Sequence, residues 1–259
     1  MKKLFLIMLV TVIGLSSVKV SLADDFSDAV VKAKKKMQVA SNKGDQQDLL
    51  KVRGDFERIL QLKKNEWLIN YYMGVIDYFV TFSYIDKKDN DNIKKYTESS
   101  LALLDKSTDA KDDFSEAWIM KMAVQSNRWM YEPDKMNDII TKQGEAKDKA
   151  KKLDPENPRY YLVDGTNTYY TPSNFGGGPD NALPILQKSW DAFSTFKPVD
   201  ETYPDAGKDQ CAGMIALCYI QNDKLDDGKK WMDKGLEINP DNGFIKNYVQ
   251  KQYDDKAKK

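Results

Sequence analysis

Apolar residues after the first two dozen positions recur every three or four residues, which is the spacing of an amphipathic helix. Trp67, Tyr71 and Tyr78 share one broad face of a predicted helix, and Trp118 and Met122 repeat the spacing one unit later. Partner helices are predicted over four further stretches: 93–104, 136–153, 182–193 and 225–238. Together with two helices near the N-terminus, the pattern predicts about ten helices in five antiparallel pairs.

Evenly spaced proline residues end several of these helices. Pro155 and Pro240 each follow an amphipathic run, and Pro198 lies between them at almost equal distance from both. A proline cannot continue a helix, so each one marks a stop. Stops at this spacing favour stacked helical hairpins over one compact core. The sequence therefore predicts an all-α fold, a right-handed solenoid of antiparallel helix pairs.

The last predicted unit carries small, aromatic and proline residues at a characteristic spacing. These residues are Ala216, Tyr219, Gly228, Met232, Gly235 and Pro240. The set resembles the tetratricopeptide repeat (TPR) family, in which small residues let two helices approach closely. Repeats of about 43 residues exceed the usual ~34, which indicates degenerate units with longer loops. The resemblance implies one repeat domain over 24–259, made of N-terminal helices (24–66), repeat units (67–243) and a C-terminal helix or tail (244–259).

A narrower resemblance rests on the third unit. Its residues are Asn157-Pro158-Arg159-Tyr160-Tyr161, then Tyr170-Thr171-Pro172, then Phe175-Gly176-Gly177-Gly178. They resemble a group of exported bacterial TPR-like proteins of unassigned role. The three glycines are predicted to let an inter-helix loop take positive φ angles, with Pro179 opening the next helix. A phosphate-binding loop would need Lys-Ser or Lys-Thr after the glycines, and neither follows.

The first residues predict a cleaved signal peptide over residues 1–23. Lys2 and Lys3 precede an apolar run, Lys19 interrupts its extension, and Ser21-Leu22-Ala23 places small residues at the cleavage positions. The run is shorter than the roughly 20 residues that a membrane-spanning helix needs. The protein is therefore predicted to be periplasmic or secreted, with no membrane span after cleavage. An uncleaved anchor is the alternative.

Composition argues against several classes of function. The chain has 40 basic and 40 acidic residues, a balance that argues against nucleic acid as a partner. It has no histidine, which removes the common catalytic triads, the commonest zinc sites and the usual proton-transfer group near neutral pH. We therefore predict no enzyme activity, no cofactor and no metal site, and the alternative is a histidine-free enzyme that uses carboxylates.

The two cysteines lie on one predicted helix. Cys211 and Cys218 are separated by two helical turns, which is too far for a disulfide between them. They are predicted to be small apolar residues on a buried face. An intermolecular disulfide is the alternative.

Tyrosine supplies apolar area with a hydroxyl at low entropic cost, which suits a binding surface. In TPR folds the first helix of each pair lines the concave face. The resemblance therefore implies a groove lined by Tyr71, Tyr78, Glu116, Asn127, Arg159, Thr166, Tyr169, Tyr170, Gln210 and Gln221. Arg159 is suited to pair with a carboxylate such as a peptide C-terminus.

The predicted function follows from that groove. We predict an exported non-enzymatic scaffold that binds a protein or peptide partner in its concave face, because a row of repeats holds a long surface in order. The alternative is a small-molecule (solute) binding protein associated with a transporter.

Overall fold

The all-α prediction is confirmed. The structure, a computed structural model, describes residues 18–258, with side chains from residue 25 onward. The described residues contain no strand and form eleven α-helices. The helices are α1 (Val18–Lys43), α2 (Gln46–Leu60), α3 (Glu66–Ile85), α4 (Asn90–Ala110), α5 (Ser115–Gln125), α6 (Met136–Leu153), α7 (Pro158–Tyr170), α8 (Pro179–Thr195), α9 (Lys208–Gln221), α10 (Leu225–Ile238) and α11 (Gln250–Ala257). Most of the predicted signal peptide lies outside the described residues.

Short irregular helices complete the chain. They are 3₁₀ turns at Ser126–Met130, Pro133–Lys135 and Ser173–Phe175, and a π-helix at Phe244–Val249. None of the described helices has both the length and the apolarity that a membrane crossing requires.

Consecutive helices pack as pairs, and a glycine marks the closest approach in three of them. A Cβ at Gly165 of α7 would lie 2.6 Å from Cγ of Leu186 in α8. Gly228 of α10 approaches α9 in the same way, because a Cβ there would lie 2.7 Å from Cγ1 of Ile220. Gly74 of α3 packs on α4, and its carbonyl accepts a hydrogen bond from a buried serine hydroxyl of that helix. Small residues therefore let the helix backbones approach, as the sequence predicts.

Apolar residues fill the space between the pairs in separate clusters. The N-terminal cluster joins α1 to α5 and includes the stacked rings of Phe56 and Tyr72, with centroids 5.1 Å apart. The C-terminal cluster joins α7 to the chain end and includes Cys211 and Cys218. Both cysteines are buried and free, and burial raises the pKa of each thiol to about 12. They therefore serve as small apolar residues.

The glycine-rich loop between α7 and α8 is a structural turn. Gly176 and Gly178 have φ angles of 81° and 94°, which favour glycine. A Cβ at Gly177 would lie 2.0 Å from the carbonyl oxygen of Thr171, so this position requires close backbone approach. Helix α8 then begins at Pro179. The predicted positive φ angles and the predicted helix start are both confirmed.

The connection between α8 and α9, residues 196–207, is an irregular segment that we call the strap. It packs across α1 and α3 rather than projecting into solvent. Lys34 of α1 donates to the carbonyls of Glu201 (2.6 Å) and Tyr203 (2.9 Å) in the strap. The Tyr72 hydroxyl of α3 donates to the carbonyl of Thr202 at 2.5 Å. The strap thus ties the C-terminal half of the chain to its first helices.

The C-terminal end of α1 meets the last unit. A Cβ at Gly243 would lie 2.0 Å from the carbonyl oxygen of Asn42, so the two backbones are in direct contact. Beside this contact lies an open cleft of about 420 Å³, lined in part by Lys43, Asp241 and Lys246. The pairs therefore curve far enough for the end of α1 to touch the segment that follows α10.

Candidate functional site

Five of the predicted groove residues form two groups according to their place on the helices. Tyr71, Glu116 and Arg159 lie near the beginnings of α3, α5 and α7. Tyr78 and Tyr170 lie in the second halves of α3 and α7. The first group is buried by the chain itself, whereas the second group remains accessible.

A buried ion pair occupies the first group. Arg159 Nε donates to Glu116 Oε2 at 2.7 Å, and a second guanidinium nitrogen donates to the other carboxylate oxygen. Asn157 donates a further hydrogen bond to Glu116 at 2.8 Å. Glu116 is 5% exposed and Arg159 is 9% exposed. Arg159 was predicted to pair with a carboxylate, and Glu116 of the same chain supplies it.

The strap covers this ion pair from the solvent side. The Ala206 carbonyl accepts from Arg159 at 3.3 Å, and the Phe196 ring lies 4.4 Å from the guanidinium carbon. Tyr203 adds edge-on ring contacts to Trp67 (5.8 Å) and Phe114 (5.7 Å). We call this region the closed end of the groove. Its polar groups have internal partners, and a ligand would have to displace the strap to reach them.

Aromatic residues of α3, α7 and the π-helix form a second group, in which the Tyr170 hydroxyl interacts with the hydroxyls of Tyr248, Tyr169 and Tyr78. We call this set the tyrosine face; it consists of Tyr78, Phe82, Tyr169, Tyr170, Phe244 and Tyr248. Tyr78 and Phe82 of α3 make a T-shaped contact with centroids 4.9 Å apart. Tyr169 and Tyr170 of α7 make a similar contact at 5.0 Å. In the π-helix, Phe244 and Tyr248 are stacked at 5.7 Å.

The electrostatics of Tyr170 show that these elements converge. Burial raises the pKa of the Tyr170 hydroxyl, and the neighbouring hydroxyls of Tyr248, Tyr169 and Tyr78 raise it further. The residue nevertheless keeps 57% of its surface exposed. Tyr78 is also only half-buried, and burial raises the pKa of its hydroxyl to about 12.

No protein-family model matches the chain, and no curated protein matches it in sequence. The TPR resemblance therefore remains a prediction. A solved structure that does match is the HusA haemophore from Porphyromonas gingivalis, with a TM-score of 0.61. The match covers 81% of this chain and 96% of that chain at 21% sequence identity. The fold of this chain resembles that of a haemophore. At such an identity the likeness extends to the fold alone.

Polar residues behind the tyrosine face connect the elements that form it. Asn127 is buried and donates to the Thr81 hydroxyl of α3 at 3.1 Å. Ser126 donates to Asn167 of α7 at 2.9 Å. These bonds join α3, the 3₁₀ turn after α5, and α7. The predicted residue Asn127 therefore supports the face from behind rather than lining it.

The remaining predicted residues lie at the edges. Gln221 at the end of α9 interacts with the Tyr169 hydroxyl and with Gln252 of α11 at 3.5 Å. Thr166 and Gln210 are half-buried. Among the described residues, no cluster of acidic or cysteine side chains has the makings of a metal site.

Sequence reasoning missed three members of the tyrosine face. Phe82 lies four residues after Tyr78 on α3, but its side chain carries no polar group that would indicate a binding role. Phe244 and Tyr248 fall in the segment that was predicted to be a C-terminal helix or tail. Their four-residue spacing in a segment that follows Pro240 was the available signal, because it places two rings on one helical face.

Proposed function

We propose that this chain is a non-enzymatic binding protein that holds a flat, largely apolar small molecule against the tyrosine face. The ligand class that we propose is the tetrapyrroles, the class to which haem belongs. Among the two functions that the sequence suggested, this is the small-molecule alternative. The predicted export of the chain would place it where such a ligand must be captured outside the cytoplasm.

The convergence of tyrosines from α3, α7 and the π-helix is the observation that carries this proposal. Tyr170 and Tyr248 keep 57% and 41% of their surfaces exposed, so their rings are accessible. Aromatic rings favour offset or edge-on contact with a flat π-system, and burying such area is favourable at about 25 cal/mol per Å². We expect a flat ligand several rings wide to contact rings from more than one of these elements.

The residues of this chain suit contact with the flat tetrapyrrole ring better than coordination of a metal at its centre. The chain has no histidine, and both cysteines are buried in the core of the C-terminal half. The pKa of Tyr78, raised to about 12 by burial, keeps its hydroxyl protonated near neutral pH. A protonated phenol donates hydrogen bonds but is a weak ligand for iron. We therefore expect the apolar area of the ring to supply most of the affinity.

The peptide hypothesis has less support. A peptide C-terminus needs an available cation, and the Arg159 guanidinium is bound to Glu116 beneath the strap. The accessible residues of the predicted groove, Tyr78 and Tyr170, are aromatic, which suits a flat ligand better than the backbone of an extended chain.

Titration with a tetrapyrrole tests the proposal. Haem and iron-free protoporphyrin are each added to the mature protein, and binding is followed by porphyrin absorbance and by quenching of tyrosine and tryptophan fluorescence. We expect saturable binding of both. Tyr170→Ala and Tyr248→Ala should each weaken it at least tenfold, about 1.4 kcal/mol. Tyr170→Phe should keep most of the affinity, because ring contact outweighs the hydroxyl.

The matched control is Tyr96→Ala. Tyr96 lies on α4 and stacks on Tyr84, with centroids 5.8 Å apart, away from the tyrosine face. This variant should bind the porphyrin as the wild type does. Equal weakening in Tyr96→Ala and Tyr170→Ala, or no saturable binding by the wild type, would contradict the proposal.

A further inference from the structure

We propose that the contact between Asn42 and Gly243 holds Tyr248 in place over the tyrosine face and thereby sets how long a ligand stays bound. We call it the closure contact. The inference rests on the proposed function, since it concerns the regulation of the same site. Asn42 and Gly243 touch no ligand in this scheme; they act as positioning residues through Tyr248.

Gly243 is a glycine because of what it touches. Its backbone angles, φ −67° and ψ −29°, are those of an ordinary right-handed helix, which any residue adopts. The obstacle to a side chain is the carbonyl oxygen of Asn42, 2.0 Å from where the Cβ would lie. A methyl group at this position must therefore force Asn42 and Gly243 apart.

A displacement at Gly243 passes directly to the tyrosine face. Gly243 precedes the π-helix that carries both Phe244 and Tyr248. The Phe244 ring packs closely over Gly213 of α9, and Ile245 is fully buried. Tyr248 follows Gly243 by only five residues, so we expect a shift of Gly243 to be passed along this short segment to Tyr248. Isolated π-helical turns are frequent at functional sites, which fits a segment that aims one side chain.

Helix α1 links the strap to the closure contact. Lys34, 4% exposed, fixes the middle of α1 to the strap through two carbonyls and through Asp205 at 3.0 Å. The end of α1 then lies against Gly243. The closed end of the groove and the closure contact are therefore connected by one helix.

Charged side chains flank the closure contact. Substituting one of them should weaken the contact with less disruption than adding a side chain at Gly243. Lys43, Asp241 and Lys246 line the cleft beside the contact, and Lys246 pairs with Asp241 at 3.6 Å. All three are exposed, so changing one leaves the core intact. Lys43→Asp places a carboxylate in the same cleft as Asp241, and the resulting repulsion is screened by salt.

The test measures release of iron-free protoporphyrin in stopped-flow experiments. Gly243→Ala should raise the dissociation rate constant at least fivefold, because Tyr248 is no longer held over the ligand. Its association rate constant should change less. Lys43→Asp should accelerate release by a smaller factor, and the acceleration should shrink as salt is raised. A merely structural role for Gly243 would not produce that salt dependence in a second variant.

The matched control is Gly144→Ala on α6. A Cβ there meets nothing within 4 Å, so the variant adds the same methyl group to a helix without a clash. Far-UV circular dichroism checks that every variant is folded. A folded Gly243→Ala protein that releases porphyrin as Gly144→Ala does would overturn the inference and leave the proposed function standing.

Two further outcomes are equally decisive. If Gly243→Ala does not fold, Lys43→Asp carries the test, and an unchanged release rate in that variant overturns the inference. If the wild type and Gly144→Ala bind no porphyrin, the proposed function fails and this inference fails with it.

Discussion

At the scale of single residues, the Glu116–Arg159 pair separates a structural role from a binding role. Both side chains belong to the predicted groove, and sequence alone indicates that they are polar and that they lie on the inner helices. Their partnership joins positions 43 residues apart along the chain. No local pattern reports such a pairing. The chemistry that suits Arg159 to a ligand carboxylate also suits it to an internal one. Because both partners are buried, the pair has a structural role.

The first prediction concerns this pair. Arg159→Ala leaves the Glu116 carboxylate buried without its cation, which typically costs about 3–5 kcal/mol. We expect that loss in urea unfolding followed by circular dichroism. The double variant Glu116→Gln/Arg159→Met should be less destabilised than Arg159→Ala, because it leaves no unpaired charge.

An exposed pair provides the comparison for that experiment. Arg58 pairs with Asp55 on the surface of α2, and the Arg58 side chain is 73% exposed. Arg58→Ala should cost less than about 1 kcal/mol. Equal losses in Arg58→Ala and Arg159→Ala would mean that the Glu116–Arg159 pair is not buried as described.

At the scale of elements, the strap is the feature that the sequence did not reveal. Residues 196–207 read as an irregular connection around Pro198, because they carry no helical periodicity. Their binding partners, Lys34 and Tyr72, lie 130 or more residues away. The helices themselves were predictable, since periodicity and proline stops are local signals. What fills the space between helices depends on contacts between distant segments, and these leave no trace in a single sequence.

The prediction at this scale concerns docking of the strap. Lys34→Met removes the donor to two strap carbonyls and leaves Asp205 without its cation, at a cost of about 1–3 kcal/mol. Hydrogen exchange measured by mass spectrometry should become faster over residues 200–206. Lys35→Met is the control, because Lys35 is the exposed neighbour of Lys34. Unchanged exchange in Lys34→Met would mean that the strap is held by other contacts.

At the scale of the whole molecule, buried tyrosines make the fold sensitive to alkali. Burial raises the pKa of Tyr71 and Tyr72, and it raises the pKa of Tyr160 to about 12. In the unfolded chain a tyrosine ionises near pH 10. Below pH 10 the hydroxyl is protonated in both states. As pH rises from about 10 to 12 the unfolded chain gives up the proton and the folded protein keeps it, so stability falls.

This pH dependence gives a measurable prediction. Each such tyrosine should reduce the free energy of unfolding by about 1.4 kcal/mol per pH unit in that window. Tyr160→Phe should therefore flatten the decline between pH 10 and 12, relative to its own stability at pH 7. Unfolding is followed by circular dichroism, and ionisation by phenolate absorbance. An identical decline in both proteins would show that Tyr160 is not buried in its neutral form.

The closure contact has a consequence for how this chain loses its structure. In a linear array each unit touches only its neighbours, so the ends melt first and the middle survives. Here Ser27 hydrogen-bonds to Glu201, 174 residues further along, and α1 touches the last unit through Gly243. Such tethers join the two extremities into one cooperative body. Removing α1 from Ser27 onward, or the residues from Gly243 onward, should therefore not yield a smaller stable version, because the remaining units would lose the partner that completes them.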